Sequence, residues 1–208
     1  ARGAIEANDD QSLAGDFNNI GISFDQIGLV DSSVYYYLKS IEIKERLKDF
    51  KGQTSTYNNI GLIYYYQGDY RKAVMYYSKV ITLSEKHDLE RAASAAYSNL
   101  SMIYESQNDF RKSIEYSLKS LELNLESKNE RSSITTYNAL GTAYKKLNRL
   151  DSAIYYFNQA ITASINTKDV QGEALAIGNL SDIDLLNKDY KAALIKLDSS
   201  ENKLKMIK

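Results

Sequence analysis

The chain has 208 residues, 43% of them hydrophobic and 25% charged, a composition that builds a core and lies outside the disordered range. Its 26 basic and 27 acidic residues leave a formal net charge of −1, so no global field gathers a phosphate backbone or an anionic bilayer, and nucleic acid and membrane surfaces are excluded as default partners. The absence of Cys excludes disulfides and thiolate chemistry.

One word returns every 40 residues: NNIGISF (18–24), NNIGLIY (58–64), SNLSMIY (98–104), NALGTAY (138–144) and GNLSDID (178–184). Pro is absent and Gly numbers only 10, so little breaks a helix, and apolar residues recur at three- and four-residue intervals. The reading is all-α, with two helices to each unit. Residues 1–8 fall in register with the end of a second helix of a preceding repeat. Five repeats follow, at about 9–48, 49–88, 89–128, 129–168 and 169–208, stacked as one solenoid domain over 1–208. In the second repeat Tyr57, Ile60, Gly61 and Tyr64 share one face of a first helix, GDY (68–70) turns, and Ala73, Tyr77 and Val80 mark a second helix. The first repeat has Phe17, Ile20, Gly21, Phe24, Ser33 and Tyr37 in these places, and the third has Tyr97, Leu100, Ser101, Tyr104, Ser113 and Ser117. The fourth has Tyr137, Leu140, Gly141, Tyr144, Ala153 and Phe157, and the fifth Ile177, Leu180, Ser181, Asp184, Ala193 and Leu197. Small residues at 21, 61, 101, 141 and 181 allow the two helices of a hairpin to approach closely, with large rings filling the space beside them. Asp184 stands where an aromatic is expected, so the fifth repeat is the least typical.

The spacing Tyr57-x2-Ile60-Gly61-x2-Tyr64, then Ala73-x3-Tyr77, resembles the tetratricopeptide repeat. Two departures are a period of 40 in place of 34 and the missing closing Pro. The extra residues lengthen each helix to roughly 18 residues or ~27 Å, as in the longer variants that resemble kinesin light chain and bacterial peptide receptors. The resemblance implies a right-handed α-solenoid, or superhelix, of antiparallel helix hairpins. It also implies that first helices line a concave groove and second helices form the outside.

On those first helices sit Asn18, Asn19, Asn58, Asn59, Asn99, Asn138 and Asn179. Asn is a mediocre helix former that competes for backbone hydrogen bonds, so its recurrence needs an offsetting gain. Its amide can grip a peptide unit through both N–H and C=O, and a ladder of such amides would hold an extended peptide by its main chain. The ladder implied by the resemblance best fits Asn19, Asn59, Asn99 and Asn179, with Ala139 breaking the series. The alternative is that each Asn bonds to the backbone of the neighbouring repeat. Selectivity for side chains would come from Asp25, Gln26, Tyr65, Tyr66, Glu105, Lys145 and Lys146, further along the same helices. The two lysines either take an acidic group or stay solvated. Most of the 18 Tyr are read as core, with Tyr65 and Tyr66 as the exceptions that stack on a ligand.

No catalytic residue, metal ligand or cofactor site is expected. His87, the one His, lies at an inter-repeat turn and is read as a surface residue, with no second His or Cys to form a metal cluster or a nucleophile–base pair. There is no Gly-rich phosphate loop. The expected function is a non-catalytic scaffold or sensor module that binds a protein or an extended peptide, as part of a larger bacterial regulatory protein. The alternatives are a receptor for a short signalling peptide and a regulatory subunit or domain of a phosphatase or other enzyme. Direct membrane contact by this segment is not expected. Self-association through the terminal repeats, by Ile195, Leu204 and Met206, is. A cytoplasmic location is the first reading, and a periplasmic one applies if the full-length protein carries a signal peptide and a membrane span.

Overall fold

The computed structural model describes residues 2–205, with side chains from residue 9 onward. The described residues form ten helices and no strand: α1 (Arg2–Gln26), α2 (Val30–Arg46), α3 (Phe50–Tyr66), α4 (Tyr70–Lys86), α5 (Glu90–Ser106), α6 (Phe110–Glu126), α7 (Glu130–Lys146), α8 (Leu150–Thr167), α9 (Val170–Leu186) and α10 (Tyr190–Lys205). The all-α hairpin architecture read from the 40-residue period is observed. α1 is continuous through residues 2–8, with no turn where the register places the end of an earlier helix. Met206 lies outside the described residues.

Every turn has the same form. A residue with positive φ stands at each of positions 28, 48, 68, 88, 108, 128, 148, 168 and 188, one per 20 residues. Turns within a repeat and between repeats therefore share one left-handed closing residue, although only 28 and 68 are Gly. The next residue caps the following helix wherever it is Asp or Asn. Asp49 Oδ1 accepts from the N–H of Gly52 at 2.8 Å, and Asp109 Oδ1 from that of Lys112 at 3.1 Å. Leu29 and Arg149 make no such bond. Each cap satisfies one orphan N–H, a contribution of about 1 kcal/mol.

The chain gathers into two compact units, residues 1–99 and 100–208, with the boundary inside α5. In the first unit α1 packs on α2, α2 on α3 and α3 on α4. Its core joins Val34, Tyr37 and Ile41 of α2 to Ile60 and Ile63 of α3 and Tyr76 of α4. In the second unit α7 packs on α8, α8 on α9 and α9 on α10, and α7 also touches α9 directly. Its core is Ala153, Phe157 and Ala160 against Ala176, Leu180 and Ile183. Burying a ring such as Tyr77 or Phe157 contributes about 2–3 kcal/mol.

The close approach within a hairpin is measurable. A Cβ built on Gly21, Gly61 or Gly141 would lie 2.9, 2.6 or 2.5 Å from the ring of Tyr37, Tyr77 or Phe157 respectively. In the third repeat Ser101 replaces the glycine, and the ring gives way to Ser117, the two hydroxyls meeting at 2.7 Å. A second ring layer stacks across the first four hairpins: Phe24 on Tyr36, Tyr64 on Tyr76, Tyr104 on Tyr116 and Tyr144 on Tyr156, with centroids 5.3–5.7 Å apart.

Candidate functional site

The asparagines sit on first helices as the register requires, and most of them meet a neighbouring repeat. In the first unit Thr56 Oγ1 of α3 donates to Asn18 Oδ1 of α1 at 3.3 Å. Asn99 Nδ2 donates to Asn58 Oδ1 at 2.7 Å, side chain to side chain between α5 and α3. Asn59 bonds the Tyr37 hydroxyl, whose pKa is raised chiefly by burial. Asn19 is exposed. The expected alternative to ligand contact was a bond to neighbouring backbone; the partners found are side chains.

In the second unit Asn138 is 6% exposed, and its Nδ2 donates to Ile134 O of its own helix at 3.2 Å, while Oδ1 is buried without a partner. Lys145 Nζ donates to Asn179 Oδ1 at 3.1 Å and to Asp182 Oδ2 at 2.7 Å. Its side chain is only 13% exposed, so the reading of Lys145 as solvated is corrected: α9 supplies a carboxylate to it. Lys146 is exposed. It acts on Glu105, a half-buried carboxyl whose pKa is raised by burial, with the positive charge of Lys146 partly opposing the shift.

Three rings cluster at the end of α3. Tyr66 is 77% exposed, Tyr65 is half-buried, and Tyr65 lies 5.4 Å from the Tyr66 ring and 5.9 Å from that of Tyr70. Among the second-helix tyrosines read as core, Tyr37, Tyr76 and Tyr77 are buried, but Tyr35 and Tyr155 are more than half exposed. They stand one residue before the stacked Tyr36 and Tyr156, a rotation that turns them away from the hairpin seam. His87 also needs correction. It is half-buried, stacked on Phe50 with centroids 3.5 Å apart and planes at 13°, and its Nε2 is buried without a partner. A turn position suggested exposure; the ring of Phe50, at the start of α3, covers it.

The sequence reading missed a polar row on the second helices. Lys44 Nζ donates to Thr56 Oγ1 at 2.7 Å, and Asn124 Nδ2 to Thr136 Oγ1 at 3.3 Å. Ser84 and Ser164 occupy the same register, but Ala96 and Ala176 stand where Thr56 and Thr136 do, and the hydroxyls of Ser84 and Ser164 have no partner. The 40-residue alignment holds this signal, as the pairing of 44 with 56 and of 124 with 136. Among the described residues no group of three His, Cys, Asp or Glu is placed to hold a metal ion, and no helix is long and apolar enough to cross a membrane.

Residues 91–166 and 55–87, together more than half of the chain, match family models described as tetratricopeptide repeat. No curated protein matches by sequence. Among solved structures the chain is similar to BtubC (BKLC) from P. vanneervenii, with 19% identity and a TM-score of 0.84 over 99% of this chain and 88% of that one. It is also similar to aspartyl phosphate phosphatase F from Bacillus subtilis, with 18% identity and a TM-score of 0.79 over 93% of this chain. A STAND protein with a tetratricopeptide repeat sensor from Pyrococcus horikoshii matches at 20% identity, TM-score 0.72, over 84% of this chain. The chain spans 50% of the phosphatase and 27% of the STAND protein. At these identities the likeness is one of fold.

Proposed function

Because the chain belongs to the tetratricopeptide repeat family, we propose that it is a non-catalytic module that binds an extended segment of protein or peptide along its first helices. The observation that carries this reading is the recurrence of Asn side chains there, at a register where a better helix former would serve. The Asn99–Asn58 bond uses one donor of the first amide and one lone pair of the second, so each retains capacity for a peptide unit. The fold likeness to aspartyl phosphate phosphatase F from Bacillus subtilis, of which this chain spans 50%, is compatible with a place within a larger bacterial regulatory protein. It is equally compatible with the alternatives of a signalling-peptide receptor and a regulatory domain of a phosphatase.

The test pairs thermal midpoint with affinity for a peptide selected from a display library, on Asn59→Ala, Asn99→Ala and the double variant. Two lost rungs should weaken binding about tenfold or more, while Asn59→Ala also takes one partner from the buried Tyr37 hydroxyl and lowers the midpoint. A large midpoint loss with unchanged affinity sinks the reading and leaves the amides as staples between repeats. Self-association through α10 belongs to the same proposal: Ile195 is 61% and Leu204 41% exposed. Sedimentation should show concentration-dependent association that Leu204→Glu abolishes; a strict monomer at high concentration counts against it.

A further inference from the structure

The second helices α2 and α8 are each covered along one stripe by the first helix that follows. On α2 the stripe is Val30, Val34, Tyr37 and Ile41, packed under Ile60 and Ile63 of α3, and on α8 it includes Phe157 under Leu180 and Ile183 of α9. The same register on α10 gives Tyr190, Leu194, Leu197 and Glu201, and there Leu194 is 60% and Leu197 45% exposed. A second copy stacked head to tail would fit this face poorly. Ser120 and Asn124 of α6 meet Thr136 of α7, so the repeat register would set Asp16 of the second copy's α1 against Ser200 and Leu204. It would also set Ile20 beside Glu201, which stands where α2 has Ile41. Two carboxylates would enter an otherwise apolar seam, which their desolvation opposes.

The charges of α10 fit a different arrangement. Lys191, Leu194 and Asp198 follow at intervals of three and four residues, so they share one side of the helix. Lys188, Lys191, Asp198 and Glu201 are all exposed. When two α10 helices run antiparallel with a two-fold axis beside Leu194 and Ile195, Lys191 of each copy faces Asp198 of the other, and Glu201 comes toward the other copy's Lys188. Leu194 and Ile195, both exposed, then cover each other at the centre.

We propose that α10 is the interface of a two-fold dimer of this chain, two copies pairing antiparallel with reciprocal Lys191–Asp198 ion pairs around an apolar centre of Leu194 and Ile195. The inference rests on the reading of self-association through α10 and narrows it: the assembly closes at two copies, because an isologous contact uses the same patch on both. Exposed ion pairs contribute little affinity each, but they set orientation, and like charges at the same places reject it.

The test is sedimentation of the 208-residue chain and of two variants, Lys191→Asp and Asp198→Lys, each alone and mixed in equal amounts. The unaltered chain should reach a dimer and no larger species. Each variant alone sets like charges opposite one another and should weaken dimerisation about tenfold or more. In the mixture both pairs become opposite again, and dimerisation should return to that of the unaltered chain, with circular dichroism showing each variant folded. Growth beyond the dimer, undiminished dimerisation of either variant alone, or a mixture no better than its components overturns the two-fold arrangement while self-association through α10 stands. A strictly monomeric unaltered chain overturns both.

Discussion

Asp184 and Lys196 form an ion pair across the α9–α10 hairpin, at the two positions where the other four repeats stack one aromatic ring on another. The side chains are 19% and 34% exposed, so the pair is partly desolvated, and removing one member leaves the other charge poorly compensated. Asp184→Asn or Lys196→Met should each lower stability by about 1–2 kcal/mol. The double change to Tyr at both positions should recover most of that loss by rebuilding the ring stack. Denaturant titration of the three variants decides it; independent, additive losses would show that the two positions do not act as a unit.

The Gly61–Tyr77 contact makes a second prediction. A Cβ on Gly61 would fall 2.6 Å from the Tyr77 ring, so Gly61→Ala should destabilise by about 1–3 kcal/mol through overpacking. The third repeat shows the compatible alternative, Ser at both positions. Gly61→Ser with Tyr77→Ser should therefore be less destabilising than the two single losses added together, measured by thermal unfolding.

The unpartnered hydroxyls of Ser84 and Ser164 give a prediction of opposite sign. Each buried oxygen lacks a hydrogen bond, so Ser84→Ala and Ser164→Ala should be neutral or stabilising, by up to about 1 kcal/mol. Asn124→Ala, at the same register, removes the donor to Thr136 Oγ1, which keeps its bond to Ser132 O, and should cost about 0.5–1.5 kcal/mol. Equal losses at all three sites would contradict this.

Glu105 supplies a pH dependence. Burial raises its folded-state pKa above the ordinary glutamate value of about 4.3, with Lys146 opposing. Between the unfolded and the raised folded pKa the native state holds more protons than the unfolded chain. Stability from this group is therefore highest below the unfolded pKa and falls as pH rises through that window. Glu105→Gln should raise the thermal midpoint at neutral pH, and the gain should vanish below about pH 4, where both side chains are neutral. Lys146→Ala should move the carboxyl titration, followed by NMR, to still higher pH. A titration at the ordinary value refutes the burial argument.

What the sequence determined by itself was the periodic part: all-α hairpins on a 40-residue period, with small residues facing rings in the first, second and fourth repeats. Each of these depends on residues close in the chain, or on one pattern repeated five times, and a pattern repeated that often reveals its register without coordinates. Tertiary structure decided the partners. Asn58 and Asn99 are both first-helix asparagines in sequence, and only the folded chain brings their amides to 2.7 Å of each other. Lys145 reads as a surface lysine until α9 brings Asp182 and Asn179 to it, and His87 as a turn residue until Phe50 covers it. Asp184 only marks the fifth repeat as the least typical until Lys196, twelve residues on, is seen to pair with it. Propensity and periodicity report which face a side chain occupies. A hydrogen bond or ion pair depends on distances of about 3 Å between separate helices, and only the packed chain sets those.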